Sequence, residues 1–97
     1  MPRKRRCISN KPSLNYFKPA GIPLNKIEEI SISFVELEAL RLKDLLNLEQ
    51  IECAERMHIS QPTFHRLLIQ ARSKVANALV NGRAIKLEDD KEYLFKE

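Results

Sequence analysis

The chain has 97 residues, of which 43% are hydrophobic and 31% charged, and its formal net charge is +4. This length supports one modest hydrophobic core, and no apolar run approaches the ~20 residues that a membrane span needs. We therefore expect a single folded domain in the cytoplasm, without a leader peptide or membrane anchor. The two distant cysteines, Cys7 and Cys53, are expected to be free thiols.

Residues 1–27 contain four of the five prolines, seven basic side chains and no acid. They show no sustained helical or strand period, which predicts an extended basic arm and loop. The beginning of this arm, PRKRR at 2–6, is typical of a segment that lies in a minor groove or along a phosphate backbone. An alternative is that Cys7 and Ile8 form a strand beside EISIS (29–33) or AIKL (84–87).

The first helix is predicted from its start signal. EISIS (29–33) alternates apolar and polar residues, as in a short half-buried strand. Ser33 and Glu36 then have the spacing of a capping box, so the helix begins there and continues through Leu46. Its apolar stripe consists of Val35, Ala39, Leu42 and Leu46. Asn47 interrupts the pattern, either by closing this helix in the left-handed conformation or by capping the next one.

Two further helices follow, joined by a turn at 58–60. The second spans about Glu49 to Met57, and its predicted buried positions are Ile51, Ala54 and Met57. Ser60 is a typical N-cap for the third helix, and Pro62 is tolerated in a first turn. The third helix is predicted to end at Asn81-Gly82. Its predicted buried positions are Phe64, Leu67, Leu68, Ala71, Val75, Ala78 and Leu79.

The pattern as a whole predicts a mainly α fold. Its centre would be a helix-turn-helix three-helix core, with an extended basic N-terminal arm and short peripheral β-strands. We assign residues 1–27 to the arm and loop and 28–83 to the helix-turn-helix domain. Residues 84–97 would form a short strand or a hairpin tail around EDDKE (88–92).

Charge is arranged in blocks along the chain. Residues 28–55 hold eight acids and two bases, whereas 56–83 hold five bases and no acid. Together with the acid-free 1–27 segment, this arrangement is typical of a protein in which two basic segments face a polyanion. The alternative is that basic runs are ordinary solvated surface.

The third helix would be the recognition helix of a helix-turn-helix, which projects into a major groove. If its apolar positions are buried, the opposite side faces DNA. The predicted base-facing residues are Gln61, Pro62, Thr63, His65, Arg66 and Gln70. A guanidinium can bind O6 and N7 of guanine together and an amide can read adenine, which suits Arg66 and Gln61. The alternative for each is a phosphate contact or a solvated side chain.

A second set of residues is predicted to contact phosphates, because these side chains lie on the flanks of the recognition helix or in the arm. The set consists of Ser60, Arg72, Lys74, Arg56, Arg3, Lys4, Arg5 and Arg6.

The segment from Glu36 to Leu79 resembles the C-terminal, promoter-binding region of sigma factors, notably in LRL, EQIECAERMHIS and RSKV. Closer still, RKRRC, YFKPAGIPL, ELEALRLKD, SQPTF and ARSKVANAL resemble uncharacterised protein family 0251. Members of that family are small predicted DNA-binding proteins of bacteria and archaea. The resemblance covers about 2–88, and it implies a helix-turn-helix of the sigma-factor type while implying little about targets.

Three positions depart from the family pattern. His58 stands where a turn glycine is usual, so the turn must accept a side chain. The second helix lacks the usual Ser or Thr cap and offers Glu49 or Asn47 instead. His65 stands where glycine is often found, which adds bulk on the side expected to face DNA.

The expected function is sequence-specific binding of double-stranded DNA, as a nucleoid-associated transcriptional regulator. Catalytic motifs, zinc-finger spacing and phosphate-binding glycine loops are missing from the sequence, so we expect no enzyme, no cofactor and no metal. Three alternatives stay open. The chain could be an interaction module that docks on RNA polymerase or another regulator through the acidic 28–55 segment. It could bind structured RNA through the arm, and it could form a homodimer.

Overall fold

The computed structural model describes residues 6–91 and 93–95, apart from the side chain of Leu24. Of these residues 48% are helical and 20% lie in strands of two sheets. The prediction of a mainly α fold built on a three-helix core is therefore wrong, and the domain is a mixed α/β structure. In chain order the elements are β1 (Arg6–Ile8), β2 (Tyr16–Phe17), a 3-10 turn (Leu24–Lys26), β3 (Glu29–Ser33), α1 (Phe34–Leu40), a π-helical turn (Arg41–Leu45), α2 (Gln50–Arg56), α3 (Gln61–Asn81), β4 (Ala84–Glu88) and β5 (Tyr93–Phe95).

The larger sheet has three strands with β4 at its centre. β2 pairs antiparallel with β4, and β3 pairs parallel with it, with Ile30 opposite Ile85 and Ile32 opposite Leu87. Parallel strands need a long crossover, and here the connection from β3 to β4 contains all three α-helices. The predicted EISIS strand is confirmed as β3.

The smaller sheet joins the two ends of the described chain. β1 pairs parallel with β5, with Cys7 opposite Leu94. Of the two predictions for 84–97, a short strand or a hairpin, the hairpin is wrong, because β4 and β5 belong to different sheets. The arm prediction is wrong at β1 and β2, which pair in the two sheets, whereas residues 9–15 and 18–23 belong to no helix or strand. Cys7 and Ile8 do form a strand, as in the alternative, but beside β5 rather than beside EISIS or AIKL. Because β1 and β5 are far apart in sequence, no local periodicity predicts that they pair.

The start of α1 is confirmed as a capping box. The Ser33 hydroxyl accepts from the Glu36 backbone N–H, and the Glu36 carboxylate accepts from the Ser33 N–H. The helix then widens into the π-helical turn, where the Leu46 N–H donates to the Arg41 carbonyl. A π-turn advances fewer degrees per residue than an α-turn, so Leu46 leaves the buried stripe and is exposed. Asn47 adopts φ 58°, the left-handed conformation that closes the first helix.

The hydrophobic core lies between the helices and the smaller sheet. It contains most of the predicted positions together with Ile8, Cys53 and Tyr93, which the sequence analysis did not assign to it. Besides Leu46, two residues predicted to be buried are exposed: Ile51 on α2 and Leu79 on α3. Leu79 lies at the edge of the apolar stripe, about 100° around the α3 axis from the buried Ala78.

Candidate nucleic-acid interface

α2 and α3 are connected by a tight turn that backbone hydrogen bonds to the end of α2 hold in place. The His58 N–H donates to the Glu55 carbonyl, and the Ile59 N–H donates to the Ala54 carbonyl, each at 3.1 Å. His58 has φ 56°, which explains why glycine suits this position and shows that the chain accepts a side chain there at some conformational cost. Phe64 is fully buried and packs in the core that joins the two helices.

The first turn of α3 carries a chain of polar contacts. Ser60 is the N-cap, and its hydroxyl accepts from the Thr63 N–H at 3.3 Å, as predicted for the cap. The same hydroxyl donates to Thr63 Oγ1 at 2.9 Å, and Arg66 Nη2 donates to that oxygen at 3.3 Å. Ser60 and Thr63 therefore hold the helix start and the Arg66 side chain. This contact reduces the freedom of Thr63, which is half-buried, to read a base.

The other predicted base-facing residues share one exposed surface on the N-terminal half of α3. This recognition face consists of Gln61, Pro62, His65, Arg66 and Gln70. Gln61, Pro62 and His65 also line a depression of about 260 Å³ together with Gln50, the first residue of α2. Gln50 was not a candidate in the sequence analysis, because its proximity to α3 depends on the angle of the turn.

The basic block of 56–83 is largely neutralised by the acidic block of 28–55. Arg56 pairs with Glu52 one turn earlier on α2, at 2.7 Å. The remaining pairs link α3 and its end to distant elements: Arg72 with Asp44 at 2.6 Å, Lys74 with Glu36 at 2.8 Å, and Arg83 with Glu28 at 3.2 Å.

Arg66 differs from the other four cations of this block. Within residues 6–91 and 93–95 it has no carboxylate partner, and its contact is the neutral Thr63 hydroxyl. The three residues predicted to contact phosphates from the helices, Arg56, Arg72 and Lys74, all have acidic partners. Each of them would have to exchange a carboxylate for a phosphate in order to bind DNA.

β1 is attached directly to the turn between α2 and α3. The Cys7 N–H donates to the Met57 carbonyl at 3.0 Å, and Cys7 Sγ lies 3.3 Å from His58 Nδ1. Arg6, a predicted phosphate contact, is half-buried at the start of this strand. Arg3, Lys4 and Arg5 lie outside the described residues. β1 therefore lies beside the turn that precedes α3, a link that spacing along the chain does not reveal.

The other end of β1 is fixed by a buried carboxylate. The Ser9 N–H and hydroxyl both donate to Glu38, at 2.9 and 3.0 Å. Arg41 completes the set with two hydrogen bonds to the same carboxylate and a contact to the Ser9 hydroxyl. These hydrogen bonds raise the pKa of the Arg41 guanidinium, although its partial burial acts in the opposite direction.

In the described part of the chain, no three His, Cys, Asp or Glu side chains lie close enough to hold a metal ion. Cys7 and Cys53 are free and buried. Burial raises the pKa of the Cys53 thiol, which disfavours the nucleophilic thiolate. None of the helices among the described residues is long and apolar enough to cross a membrane.

These observations define the class of the protein. It is a mixed α/β domain in which a tight turn leads into a helix whose exposed face carries no acid. The model of the family described as "Protein of unknown function DUF134" matches residues 1–94, and the chain belongs to this family.

Similar proteins cover most of this chain. A UPF0251 protein of Caldanaerobacter subterraneus is 54% identical over 90% of this chain and 74% of its own length. UPF0251 proteins of Desulforudis audaxviator and Dehalococcoides mccartyi are 61% and 57% identical, and the match covers 57% and 77% of their lengths. No solved structure gives a significant match.

Proposed function

We propose that this protein binds duplex DNA with sequence preference and regulates transcription as a nucleoid-associated protein. The binding unit would be α2, the turn and α3, a helix-turn-helix held within the mixed α/β domain. The observation that carries the proposal is the recognition face. It lies on a helix that contains no acid, and it presents Arg66, the one cation of the 56–83 block without a carboxylate partner in the described chain.

The chemistry of the recognition face supports base reading. Arg66 can donate two parallel hydrogen bonds to O6 and N7 of guanine, and its present contact to a neutral hydroxyl costs little to replace. Gln61 and Gln70 carry amides that can bind N6 and N7 of adenine. His65 lies on the same face, where it can donate to a base edge or a phosphate.

Phosphate binding would come from fewer helical cations than the sequence predicted, because four of the five in the 56–83 block are already in ion pairs. Arg66 and the basic residues 3–6 would supply most of it. A phosphate competes well only for exposed ion pairs, which contribute little to stability. Arg72 is the best candidate for such an exchange, because its side chain is about half exposed and lies on the same helix as the recognition face.

The test is a mobility-shift titration of the full chain on a random duplex pool, followed by selection of the bound sequences. Arg66→Ala should weaken binding to the selected site by about ten- to hundredfold and relax its sequence preference. Arg83→Ala is the matched control, because it removes the same charge from the other end of α3. An unchanged selected motif in Arg66→Ala, or equal losses for the two variants, would contradict the assignment of the recognition face.

The same titration separates DNA from RNA. A structured RNA of equal length should bind more weakly than duplex DNA, and affinity for DNA should fall as salt rises, with a log–log slope of about −3 to −5. A stronger affinity for RNA would favour the RNA alternative instead.

Docking on RNA polymerase or another regulator through the acidic 28–55 segment has less support. Six of the eight acids in this segment bond to a partner within the chain: Glu28, Glu29, Glu36, Glu38, Asp44 and Glu52. A surface whose charges are satisfied internally has little field left to attract a basic partner.

A further inference from the structure

Ile69 is an exposed apolar side chain in the middle of the recognition face. It is 50% exposed, and it is the one large hydrophobic residue exposed between residues 61 and 71, a stretch that the structure describes in full. At 3.6 residues per turn, Ile69 lies about 150° around the α3 axis from the centre of the buried stripe of Phe64, Leu67 and Leu68. The helix therefore directs this side chain outward, away from the core.

Polar members of the recognition face surround Ile69. Arg66 lies about 60° from it around the helix axis, His65 lies about 40° from it on the other side, and Gln70 follows it in the chain. The Arg66 guanidinium donates to Thr63 Oγ1, which lies farther around the helix on the side away from Ile69. The Ile69 side chain is thus left uncovered, and the recognition face combines one exposed isoleucine with several hydrogen-bonding groups.

We propose that Ile69 reads thymine, by packing against the 5-methyl group that this base presents in the major groove. The inference rests on the proposed function and adds a base to those that the recognition face distinguishes. The thymine methyl is the apolar group that the major-groove edges of the four base pairs offer. In a T·A pair it lies beside the O4 acceptor of thymine and the N6 and N7 groups of adenine, which polar neighbours of Ile69 can bind.

The surroundings of Ile69 favour DNA over an apolar protein partner. An apolar surface that covers Ile69 would also cover Arg66 and His65, and it would take their donors out of water without offering acceptors. The major groove instead surrounds each thymine methyl with base acceptors and phosphates. α3 also carries no acid, so no negative charge on this helix opposes the approach of the phosphates.

The spacing of Ile69 and Arg66 predicts where this thymine lies in the bound site. The two residues are about 4.5 Å apart along the α3 axis, and successive base pairs are about 3.4 Å apart. The thymine should therefore lie within about two base pairs of the guanine that Arg66 binds. The motif selected from the random duplex pool should contain both bases.

The experiment titrates the full chain on the selected duplex, in which each thymine in turn is replaced by uracil, a base that lacks only the methyl group. Replacing the thymine that Ile69 contacts should weaken binding by about three- to tenfold, because burial of one such group corresponds to a factor of about four. Ile69→Ala should bind the thymine and uracil duplexes equally. Ile69→Val, which keeps both branches at Cβ, should retain most of the preference for thymine.

Val80→Ala is the matched control. Val80 is 81% exposed and lies on the same side of α3 as Ile69, about 16 Å farther toward the C-terminal end. Because the N-terminal part of a recognition helix contacts the bases, Val80→Ala should keep the full preference for thymine over uracil. Unchanged circular dichroism and melting temperatures would show that the three variants fold.

Failure of this inference and failure of the proposed function are distinguishable. If Arg66→Ala changes the selected motif but no uracil replacement near its guanine weakens binding, Ile69 does not read thymine, while DNA binding stands. The same conclusion follows if Ile69→Ala still prefers thymine, or if Val80→Ala loses the preference as well. If no duplex binds the unaltered chain, the proposed function fails and this inference fails with it.

Discussion

Arg72 on α3 donates from Nε and Nη2 to the two carboxylate oxygens of Asp44, at 3.0 and 2.6 Å, and so fastens α3 to the end of the first helical segment. The same hydrogen bonds lower the pKa of the Asp44 carboxyl, against a smaller opposing effect of burial. This pair and that of Lys74 with Glu36 give the charge blocks a physical explanation. At these pairs the acidic and basic segments are adjacent surfaces of one fold that neutralise each other.

Replacing Asp44 with Asn should release Arg72. Because both side chains are about half exposed, the free energy of unfolding should change by less than about 1 kcal/mol. If the freed guanidinium reaches a phosphate, the log–log salt slope for duplex DNA should steepen by up to about 1. Glu28→Gln, which releases Arg83 at the far end of α3, is the control and should leave the slope unchanged. Equal slopes in Asp44→Asn and the unaltered protein would show that Arg72 makes no phosphate contact.

The helix boundaries could be predicted because their signals are local. Ser33 with Glu36, Asn47, Ser60 and Gly82 each act on backbone groups within about one helical turn, so spacing alone identifies them. The exposed side of α3 could be predicted for the same reason, since burial of Phe64 fixes the direction of its neighbours.

The other features of the fold and the site depend on contacts between distant segments, which the spacing of residues along the chain does not reveal. β1 looks like part of a basic arm until β5 is placed beside it, and no pattern within either segment indicates the other. The partners of Arg72 and Lys74 lie on α1 and its π-helical extension, so those two cations look free in the sequence.

A change at Ile8 should distinguish a packed strand from a mobile arm. Ile8 is 1% exposed and belongs to the core, so Ile8→Ala should lower the free energy of unfolding by about 2–5 kcal/mol. Leu94→Ala, on the neighbouring strand but exposed, should cost less than about 1 kcal/mol. Chemical denaturation of both variants gives the comparison. An Ile8→Ala protein as stable as the parent would mean that the N-terminal segment does not pack on the domain in solution.

Alkaline pH should reveal the environment of Tyr93. Burial and a hydrogen bond from its hydroxyl to Asp89 raise its pKa to about 12, from an ordinary value of 10. The folded chain therefore keeps a proton that the unfolded chain releases, so this contribution to stability is full below about pH 10 and is lost as pH rises through about 12.

The melting temperature of the parent should consequently fall more steeply between about pH 9.5 and 11.5 than that of Tyr93→Phe, which cannot ionise there. The hydrogen bond to Glu29 also raises the pKa of Tyr16, so absorbance at the phenolate band should be compared between variants, and the step near pH 12 should disappear in Tyr93→Phe. Tyr16→Phe is the control, since Tyr16 is hydrogen-bonded to Glu29 at an exposed site and should affect the pH profile less. Parallel profiles for the parent and Tyr93→Phe would contradict the assignment.

His58 has two opposing effects on stability. Its left-handed backbone strains the turn before α3, and its imidazole contacts β1. A non-glycine residue at φ 56° is strained by about 1 kcal/mol or more, so His58→Gly relieves strain while loosening the unfolded chain. It also removes the imidazole that lies 3.3 Å from the Cys7 thiol. We expect these effects to leave His58→Gly within about 1 kcal/mol of the parent in chemical denaturation. A double-mutant cycle with Cys7→Ala then isolates the thiol–imidazole contact, whose coupling should be about 0.5–1.5 kcal/mol. A coupling near zero would show that the Met57 carbonyl, rather than His58, holds β1 against the turn.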